Sequence, residues 1–266
     1  MQAHALTDER RISPAGNLDT SWLKIIALVF MMVDHLGVAV FGNLTEMRVL
    51  GRIAMPIYAW CLVVGCDYTH DILRYAWRLL VLAIISQPIN MVALGNSWTK
   101  LNILFLLFLG VMAIAGIRKK WYGSQFWGPV LCYLVLGFVN VDYGWRGLTF
   151  ILFLYAARKN RAALFAVFLA FAMYWGTSNS VVDSFAGVPF TFLSWPAVGP
   201  VLTPLFRMQA FMWLALPLIL IRTHTNIYIP KWLGYGFYPL HLLLIIVIEL
   251  LMGIPFSQLF SVLTTF

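Results

Sequence analysis

Two histidines, an aspartate and an arginine lie within long apolar stretches of this chain. Asp34 and His35 stand in the first stretch, Arg52 in the second and His241 in the last. An ionisable side chain in hydrocarbon is costly, so such residues usually mark a site or a pathway. A buried neutral histidine can remove a proton from a nucleophile, which makes general base chemistry the first expectation. We therefore treat Asp34, His35, Arg52 and His241 as the candidate catalytic set.

The spacing along the first stretch predicts which of these residues face each other. Lys24 and His35 are eleven residues apart, which on a helix brings both to one face about 16 Å apart. Asp34 is turned by about 100° from His35, so we expect it to pair across a hairpin with Arg52 at the same depth. Lys24 either points into the site or extends to the membrane interface, and the spacing leaves both possibilities open.

Further polar residues fall in the same half of the predicted bundle, which indicates a cavity that opens on that side. Gln87 and Asn90 share one helix face, and Tyr238 lies one turn before His241. The predicted substrate-binding residues are Gln87, Asn90, Asn102, Asp142, Arg146 and Arg207. Single amides in this set can equally well join neighbouring helices by hydrogen bonds, and that interpretation stays open.

A basic stripe occupies the opposite half of the predicted bundle. His70, Arg74 and Arg78 recur every four residues and so share one helix face. Such a stripe can hold the phosphates of a ligand, but the positive-inside rule also predicts basic residues at a cytoplasmic helix end. The sequence has no glycine-rich phosphate loop, metal-ligand spacing or serine nucleophile motif, so we expect no metal.

The composition requires a membrane around these residues. Hydrophobic residues make up 62% of the 266 residues and charged residues 11%, against about 25% charge in a soluble domain. The net charge of +8 comes from short clusters between apolar runs, which is typical of cytoplasmic loops rather than of nucleic-acid binding. We predict an all-α bundle of about nine transmembrane helices, with the N-terminus inside and the C-terminus outside.

The apolar runs also set the predicted domain organisation. Residues 1–19 form a polar cytoplasmic tail, 20–255 a single transmembrane domain and 256–266 a short C-terminal tail. The runs lie at 20–42, 48–66, 74–94, 100–117, 125–140, 146–158, 161–175, 203–222 and 232–252. The loop at 176–202, which is rich in aromatic residues and proline, is expected to cover the outer face. No internal repeat is visible, which weighs against an inverted-repeat transporter.

Several stretches resemble the TraX family, which includes the conjugation proteins that acetylate the N-terminus of pilin. They are LKIIALVFMMVDHLG (23–37), LGRIAMPIYAW (50–60), NILFLLFLG (102–110), VDYGWRGLTFILF (141–153) and GFYPLHLLLI (236–245). The strongest parts are Asp34-His35, Gly51-Arg52 and Tyr238-Pro239-x-His241. A second resemblance is the spacing from Lys24 to His35, which is similar to that of membrane acyltransferases of the third acyltransferase family. Those enzymes and the lysosomal heparan glucosaminide acetyltransferase look like distant fold relatives.

The resemblance implies a multi-pass acetyltransferase of the bacterial cytoplasmic membrane, with acetyl-CoA arriving from the cytoplasm and an acceptor from the other side. The resemblance puts Lys24 on the donor side, and the basic stripe adds Arg74 and Arg78 for the phosphates. Tyr238 completes the predicted donor-side set. His35 would be the catalytic histidine and would take the acceptor's proton. Arg52 or Tyr238 would stabilise the oxyanion, and His241 would carry a second proton or orient the acceptor.

The acceptor stays open between the N-terminal amine of a pilin-like peptide and a sugar of a cell-surface glycan. The sugar is considered because Trp145, Trp175 and Trp195 could stack on one. Two other function classes also stay open. A proton-coupled transporter would use the same buried Asp, His and Arg residues for ion movement, whereas a structural or assembly protein of the membrane would need none of them.

Overall fold

A computed structural model describes residues 13–177 and 180–263, and this part of the chain is predominantly helical. The α-helices are α1 (Thr20–Ala39), α2 (Thr45–Gly51), α3 (Ala54–Tyr68), α4 (Ile72–Leu94), α5 (Ile103–Lys119), α6 (Ser124–Phe138), α7 (Gly144–Ala157), α8 (Arg161–Gly176), α9 (Gly199–Leu202), α10 (Leu216–Leu220), α11 (Lys231–Leu251) and α12 (Phe256–Phe260). Short 3-10 segments lie at Trp121–Gly123, Thr191–Ser194, Thr203–Phe206, Met208–Ala215 and Ser261–Leu263. Strand β1 (Lys100–Leu101) pairs in parallel with β2 (Asn140–Val141), and β3 (Ser184–Phe185) pairs antiparallel with β4 (Val188–Pro189). The predicted all-α class is confirmed.

Within the described residues, four helical stretches are long and apolar enough to cross a membrane. They are α1, α2 together with α3 (Thr45–Tyr68), α4, and Gly234–Leu251 of α11. Three further apolar helices, at Gly144–Ala157, Arg161–Gly176 and Met208–Leu220, are shorter than a span requires. The chain is therefore a helical membrane protein. The prediction of about nine spans, with the N-terminus inside and the C-terminus outside, is not supported by these helices.

All nine predicted apolar runs contain helix, but two differ in form from the prediction. The run at 48–66 is broken at Arg52–Ile53, which separates α2 from α3. The run at 203–222 is largely 3-10 helix and is interrupted at Arg207, whose backbone is extended at φ −90° and ψ 150°. Pro204 lacks a backbone donor and so cannot continue a regular helix from the preceding turn.

Helix α3 occupies the centre of the described fold. It packs against α1, α5, α7 and the 3-10 segment Met208–Ala215. Most of its residues are buried, including the whole side chain of Trp60. A helix that is apolar on all sides suits such a central position. Helix α11 packs against α1 and α4, and this brings His35 of α1 and His241 of α11 into contact.

The segment that precedes α1 is tied to the far end of the chain. The Asn17 side chain is 1% exposed and donates to the carbonyl of Leu218 at 3.2 Å. The Asp19 carboxylate caps α1 by accepting from Trp22 N, and it accepts from Thr225 N at 2.7 Å and from Thr225 Oγ1 at 2.6 Å. Burial raises the pKa of Asp19, but the hydrogen bonds from Thr225 and Trp22 outweigh it and hold the pKa below its usual value. Residues 1–12 of the predicted tail lie outside the described part.

Replacing Asp19 with alanine is expected to lower the free energy of unfolding by about 1–2 kcal/mol, because the cap and the Thr225 bonds are both lost. Asp71→Ala is the matched control, since Asp71 caps α4 through Arg74 N at 2.9 Å but holds no distant loop. The measurement is chemical unfolding in detergent near neutral pH. Because the pKa of Asp19 is lowered by folding, its contribution is present above about pH 4 and is lost as the pH falls further. Equal losses for both variants would show that the Thr225 bonds contribute nothing.

Candidate functional site

A buried ion pair joins α1 to the break between α2 and α3. Arg52 donates through Nη2 to both carboxylate oxygens of Asp34, at 2.7 and 2.8 Å. Its Nη1 donates to Gln209 Oε1 at 3.0 Å, and its Nε donates to the carbonyl of Arg48 at 3.1 Å. Asp34 and Arg52 are 8% and 7% exposed. The pair that the sequence predicts is therefore present, and Arg52 uses all three of its side-chain nitrogens on protein partners.

Gly51 makes this pair possible. A Cβ atom at position 51 would overlap the Cβ, Cγ and Oδ1 atoms of Asp34. Without a side chain at that position, the Asp34 carboxylate can lie directly against the end of α2. The same close approach puts the Arg48 Nη1 atom 3.4 Å from Asp34 Oδ1. The Gly51-Arg52 sequence therefore supplies both the space and the counter-charge for one buried carboxylate.

His35 and His241 are in direct contact. His35 Nδ1 lies 2.9 Å from His241 Nε2, and His241 Nδ1 lies 2.9 Å from the carbonyl oxygen of Phe237. A carbonyl oxygen only accepts, so Nδ1 of His241 must carry its proton and a neutral His241 accepts at Nε2. His35 then donates from Nδ1, which leaves its Nε2 as a free lone pair. This chain of hydrogen bonds gives His35 the tautomer in which an imidazole can act as a base.

A polar cavity of about 410 Å³ lies beside these groups. Its charged lining residues are Asp34, Arg48, Arg52, Lys100 and Asp142, and its polar and aromatic ones include His35, Asn43, Tyr58, Asn96, Tyr143, Trp175, Gln209 and Tyr238. The pairing of β1 with β2 brings Lys100 next to Asp142, with Nζ 3.3 Å from Oδ1. We refer to this space as the polar cavity. It presents both signs of charge next to the two histidines.

A second cavity, of about 280 Å³, is lined mainly by apolar side chains. Met31, Tyr58, Ile103 and Tyr238 line both cavities and therefore stand between them. We call this second space the apolar cavity and the four shared residues the dividing wall. The charged residues that line the apolar cavity are Lys24 and Arg78. The two cavities lie in series, with cations at one end and the ion pairs and His35 at the other.

The predicted donor-side residues divide into two groups. Lys24 and Arg78 line the apolar cavity, and Tyr238 belongs to the dividing wall. Arg74 lines neither cavity; its side chain is 70% exposed and lies 3.5 Å from Asp71. The structure therefore brings three of the four predicted donor-side residues to one space and places Arg74 outside it.

The predicted substrate-binding residues are more scattered. Asp142 lines the polar cavity, whereas the other five do not. Asn90 Nδ2 lies 3.4 Å from the Tyr238 hydroxyl, behind the dividing wall. Gln87 Oε1 accepts from the backbone N and from Nδ2 of Asn102, both at 2.9 Å, and this pair fastens the start of α5 to α4. Gln87 and Asn102 therefore join two helices by hydrogen bonds, as the alternative interpretation of the sequence predicts.

Arg146 and Arg207, the remaining predicted substrate-binding residues, also lie outside both cavities. The Arg146 guanidinium stacks 5.5 Å from the Trp145 ring centroid and 5.9 Å from that of Tyr174. Arg207 Nη1 donates to the carbonyl of Thr177 at 3.3 Å. These contacts join each arginine to neighbouring residues of the protein. A direct role of Arg146 or Arg207 in substrate binding stays a prediction.

Several lining residues of the polar cavity are missing from the sequence-based set. Arg48 stands four residues before Arg52, a spacing that puts both cations on one helix face and could have indicated it. Lys100 lies in the two-residue strand β1 and Tyr143 directly before α7, and the sequence offers no periodic signal for either position. Tyr143 adopts φ 64°, a left-handed conformation that is uncommon outside glycine, and its ring meets Trp175 edge-on at 5.6 Å. Among the described residues, no three His, Cys, Asp or Glu side chains group as metal ligands would.

Comparison with known proteins gives one family match and one curated relative at useful similarity. The sequence profile of the family described as TraX protein matches residues 19–249, most of the chain. An uncharacterized protein of Rickettsia prowazekii (strain Madrid E), RP591, is 30% identical over 127 residues, which cover 46% of this chain and 49% of that protein. The match thus spans about half the length of that relative. No solved structure matches the chain.

Proposed function

We propose an activity for this chain, which belongs to the TraX protein family: it transfers an acetyl group from acetyl-CoA to an acceptor through its membrane-embedded bundle. One observation carries the proposal. His35, in the tautomer of a general base, lines a polar cavity that is separated by only the dividing wall from an apolar cavity with cations at its end. The two cavities provide separate spaces for a donor and an acceptor.

The apolar cavity suits the donor. Acetyl-CoA carries phosphates on a long thin arm that ends in the thioester. Lys24 and Arg78 are suited to the phosphates because both are exposed cations that line this cavity. The arm would lie along the apolar lining and bring the thioester to the dividing wall. Arg74 is exposed close to the same end and would contribute only long-range attraction.

The chemistry follows from the histidine pair. The acceptor's nitrogen or oxygen attacks the thioester carbonyl carbon while its proton passes to Nε2 of His35. The carbon–sulfur bond then breaks, the electron pair leaves on the sulfur of CoA, and the proton on His35 neutralises that thiolate. His241 acts on His35 rather than on the substrate, because its Nε2 holds the Nδ1 proton of His35 in place.

The developing oxyanion needs donors that are not already committed. The sequence predicts Arg52 or Tyr238 for this role, but the nitrogens of Arg52 are engaged by Asp34, Gln209 and the Arg48 carbonyl. The hydroxyls of Tyr58 and Tyr238 are better placed, since both residues belong to the dividing wall. In this proposal Arg52 serves as the counter-charge that keeps the Asp34 carboxylate buried beside the site.

The orientation in the membrane is part of the proposal. The end that carries Lys24 and Arg78 would face the cytoplasm, where acetyl-CoA is available and basic residues accumulate. The polar cavity would open to the outer side of a bacterial cytoplasmic membrane. An N-terminal amine of a pilin-like peptide is the favoured acceptor, because the best-known members of the family act on pilin. A cell-surface sugar is the alternative, supported by Trp175 and Tyr143 in the cavity wall.

The proposal is tested with detergent-purified protein, labelled acetyl-CoA and a small amine acceptor. Release of free CoA together with labelled acceptor supports it. A proton-coupled transporter would use two cavities on opposite sides of a thin wall equally well, but it would release no CoA. Intact acetyl-CoA after prolonged incubation with peptide and sugar acceptors would contradict the proposed activity.

A further inference from the structure

The charges that line the polar cavity do not balance. Arg48, Arg52 and Lys100 are cations, and among the described lining residues only Asp34 and Asp142 are carboxylates. Lys100 lies 3.3 Å from Asp142, and Arg52 holds both oxygens of Asp34. The histidine pair is neutral in the hydrogen-bonding order described above. Arg48 is therefore the surplus positive charge of this cavity.

Arg48 is only loosely engaged. Its Nη1 atom is 3.4 Å from Asp34 Oδ1, whereas the Arg52 contacts to that carboxylate are 2.7 and 2.8 Å. Its side chain is 27% exposed and lines the cavity. An arginine presents five donors in a planar fork that matches an oxyanion. Most of the Arg48 fork is therefore available to a ligand.

The partner of Arg52 on the other side of the ion pair, Gln209, has an unpaired donor within the described part of the chain. Gln209 is 5% exposed, lines the same cavity, and accepts from Arg52 through Oε1. Its Nε2 group is buried and has no hydrogen-bond partner among the described residues. A buried donor without an acceptor is unfavourable, and a cation at membrane depth is costly without a counter-charge. An anionic group that enters the polar cavity would supply a counter-charge for Arg48 and bring acceptor oxygens into the space that Gln209 also lines.

We propose that Arg48 binds an anionic group, a carboxylate or a phosphate-like oxyanion, on the acceptor that enters the polar cavity. This inference rests on the proposed function in so far as the occupant of the cavity is the acetyl acceptor. A bidentate pair with Arg48 would fix the orientation of the acceptor, with its amine or hydroxyl turned toward His35. Arg48 is thus a specificity-determining residue, and neutral acceptors are poor substrates.

Matched acceptors test the assignment, each pair differing by one carboxylate. The peptide arm compares alanyl-glutamate α-amide, which keeps its side-chain carboxylate, with alanyl-glutamine α-amide. The sugar arm compares muramic acid, which carries a lactyl carboxylate, with its lactyl amide. We expect the anionic member of the recognised pair to have a kcat/KM at least about tenfold higher. Arg48→Gln should remove that preference mainly through KM, and Arg48→Lys should retain part of it.

Two results would overturn the assignment. One is a wild-type protein that does not distinguish the members of either pair. The other is an Arg48→Gln variant that loses kcat equally for charged and neutral acceptors, which would place Arg48 on the reaction's oxyanion instead. Equilibrium binding of the labelled glutamyl peptide and of muramic acid, without acetyl-CoA, separates this inference from the proposed function. Arg48-dependent binding without any acetyl transfer would refute the activity alone; transfer without charge preference would refute the anion site alone.

Discussion

Replacing His35 with alanine is expected to lower kcat for acetyl transfer by roughly 10²- to 10⁴-fold, the usual range for loss of a general base. The protein should remain folded, because His35 bonds only to His241 among the described side chains. The measurement is the rate of CoA release with saturating acetyl-CoA and acceptor. His224→Ala is the matched control, since His224 is exposed and lines neither cavity.

The histidine pair also predicts a difference between two substitutions of His241. His241→Gln keeps a carbonyl oxygen that can accept the Nδ1 proton of His35, whereas His241→Leu removes the acceptor. We therefore expect the glutamine variant to retain more activity than the leucine variant, whose loss should approach that of His35→Ala. Equal losses in the two variants would mean that His241 carries a proton itself, and the positioning role would be wrong.

Neutralising one member of the Asp34–Arg52 pair is expected to produce the largest loss of stability. Asp34→Asn leaves the buried Arg52 and the partly exposed Arg48 without this carboxylate, and Arg52→Gln leaves Asp34 with only the 3.4 Å contact to Arg48. Breaking a buried pair in this way typically costs about 3–5 kcal/mol, because a charge remains unpaired in a low-dielectric interior. The free energy of unfolding is measured in mixed micelles, with circular dichroism as the signal.

The double variant and a surface pair provide the controls for that experiment. Asp34→Asn combined with Arg52→Gln removes both charges and should recover part of the loss seen in either single variant. Asp71→Asn breaks the exposed pair with Arg74, where both side chains are more than half exposed, and should have little effect. Additive losses in the double variant would show that the two charges do not act as a pair.

The part of the site that could be predicted from the sequence was the part governed by helix geometry. Asp34 and Arg52 stand at matching depths on either side of a short hairpin, so their pairing followed from the rise per residue. Adjacent residues on a helix differ by about 100° in direction, so Asp34 and His35 were predicted to have different partners. In the structure Asp34 pairs with Arg52 and His35 with His241. Helix positions followed from apolar runs, but the number of spans did not, since several apolar helices are too short to cross by themselves.

Contacts between distant segments could not be read from the chain. His35 and His241 are separated by 206 residues, and no periodic pattern relates them. Lys100 reaches Asp142 only because two-residue strands from different loops pair. Gln87 and Asn102, both predicted to bind substrate, are instead hydrogen-bonded to each other. In each case the packing of helices that are distant in sequence, such as α11 against α1 and α4, or of paired segments decides which polar groups meet, and local sequence does not determine that packing.

The most direct test of the account uses proteoliposomes with donor and acceptor on opposite sides of the membrane. Labelled acetyl-CoA is enclosed in the lumen, an alanyl peptide is added outside, and vesicles carrying His35→Ala serve as the blank. The account predicts labelled acetyl-peptide outside and free CoA inside. Acetyl-peptide formed only when both substrates share one side, or labelled acetyl-CoA that crosses the membrane unchanged, would contradict it.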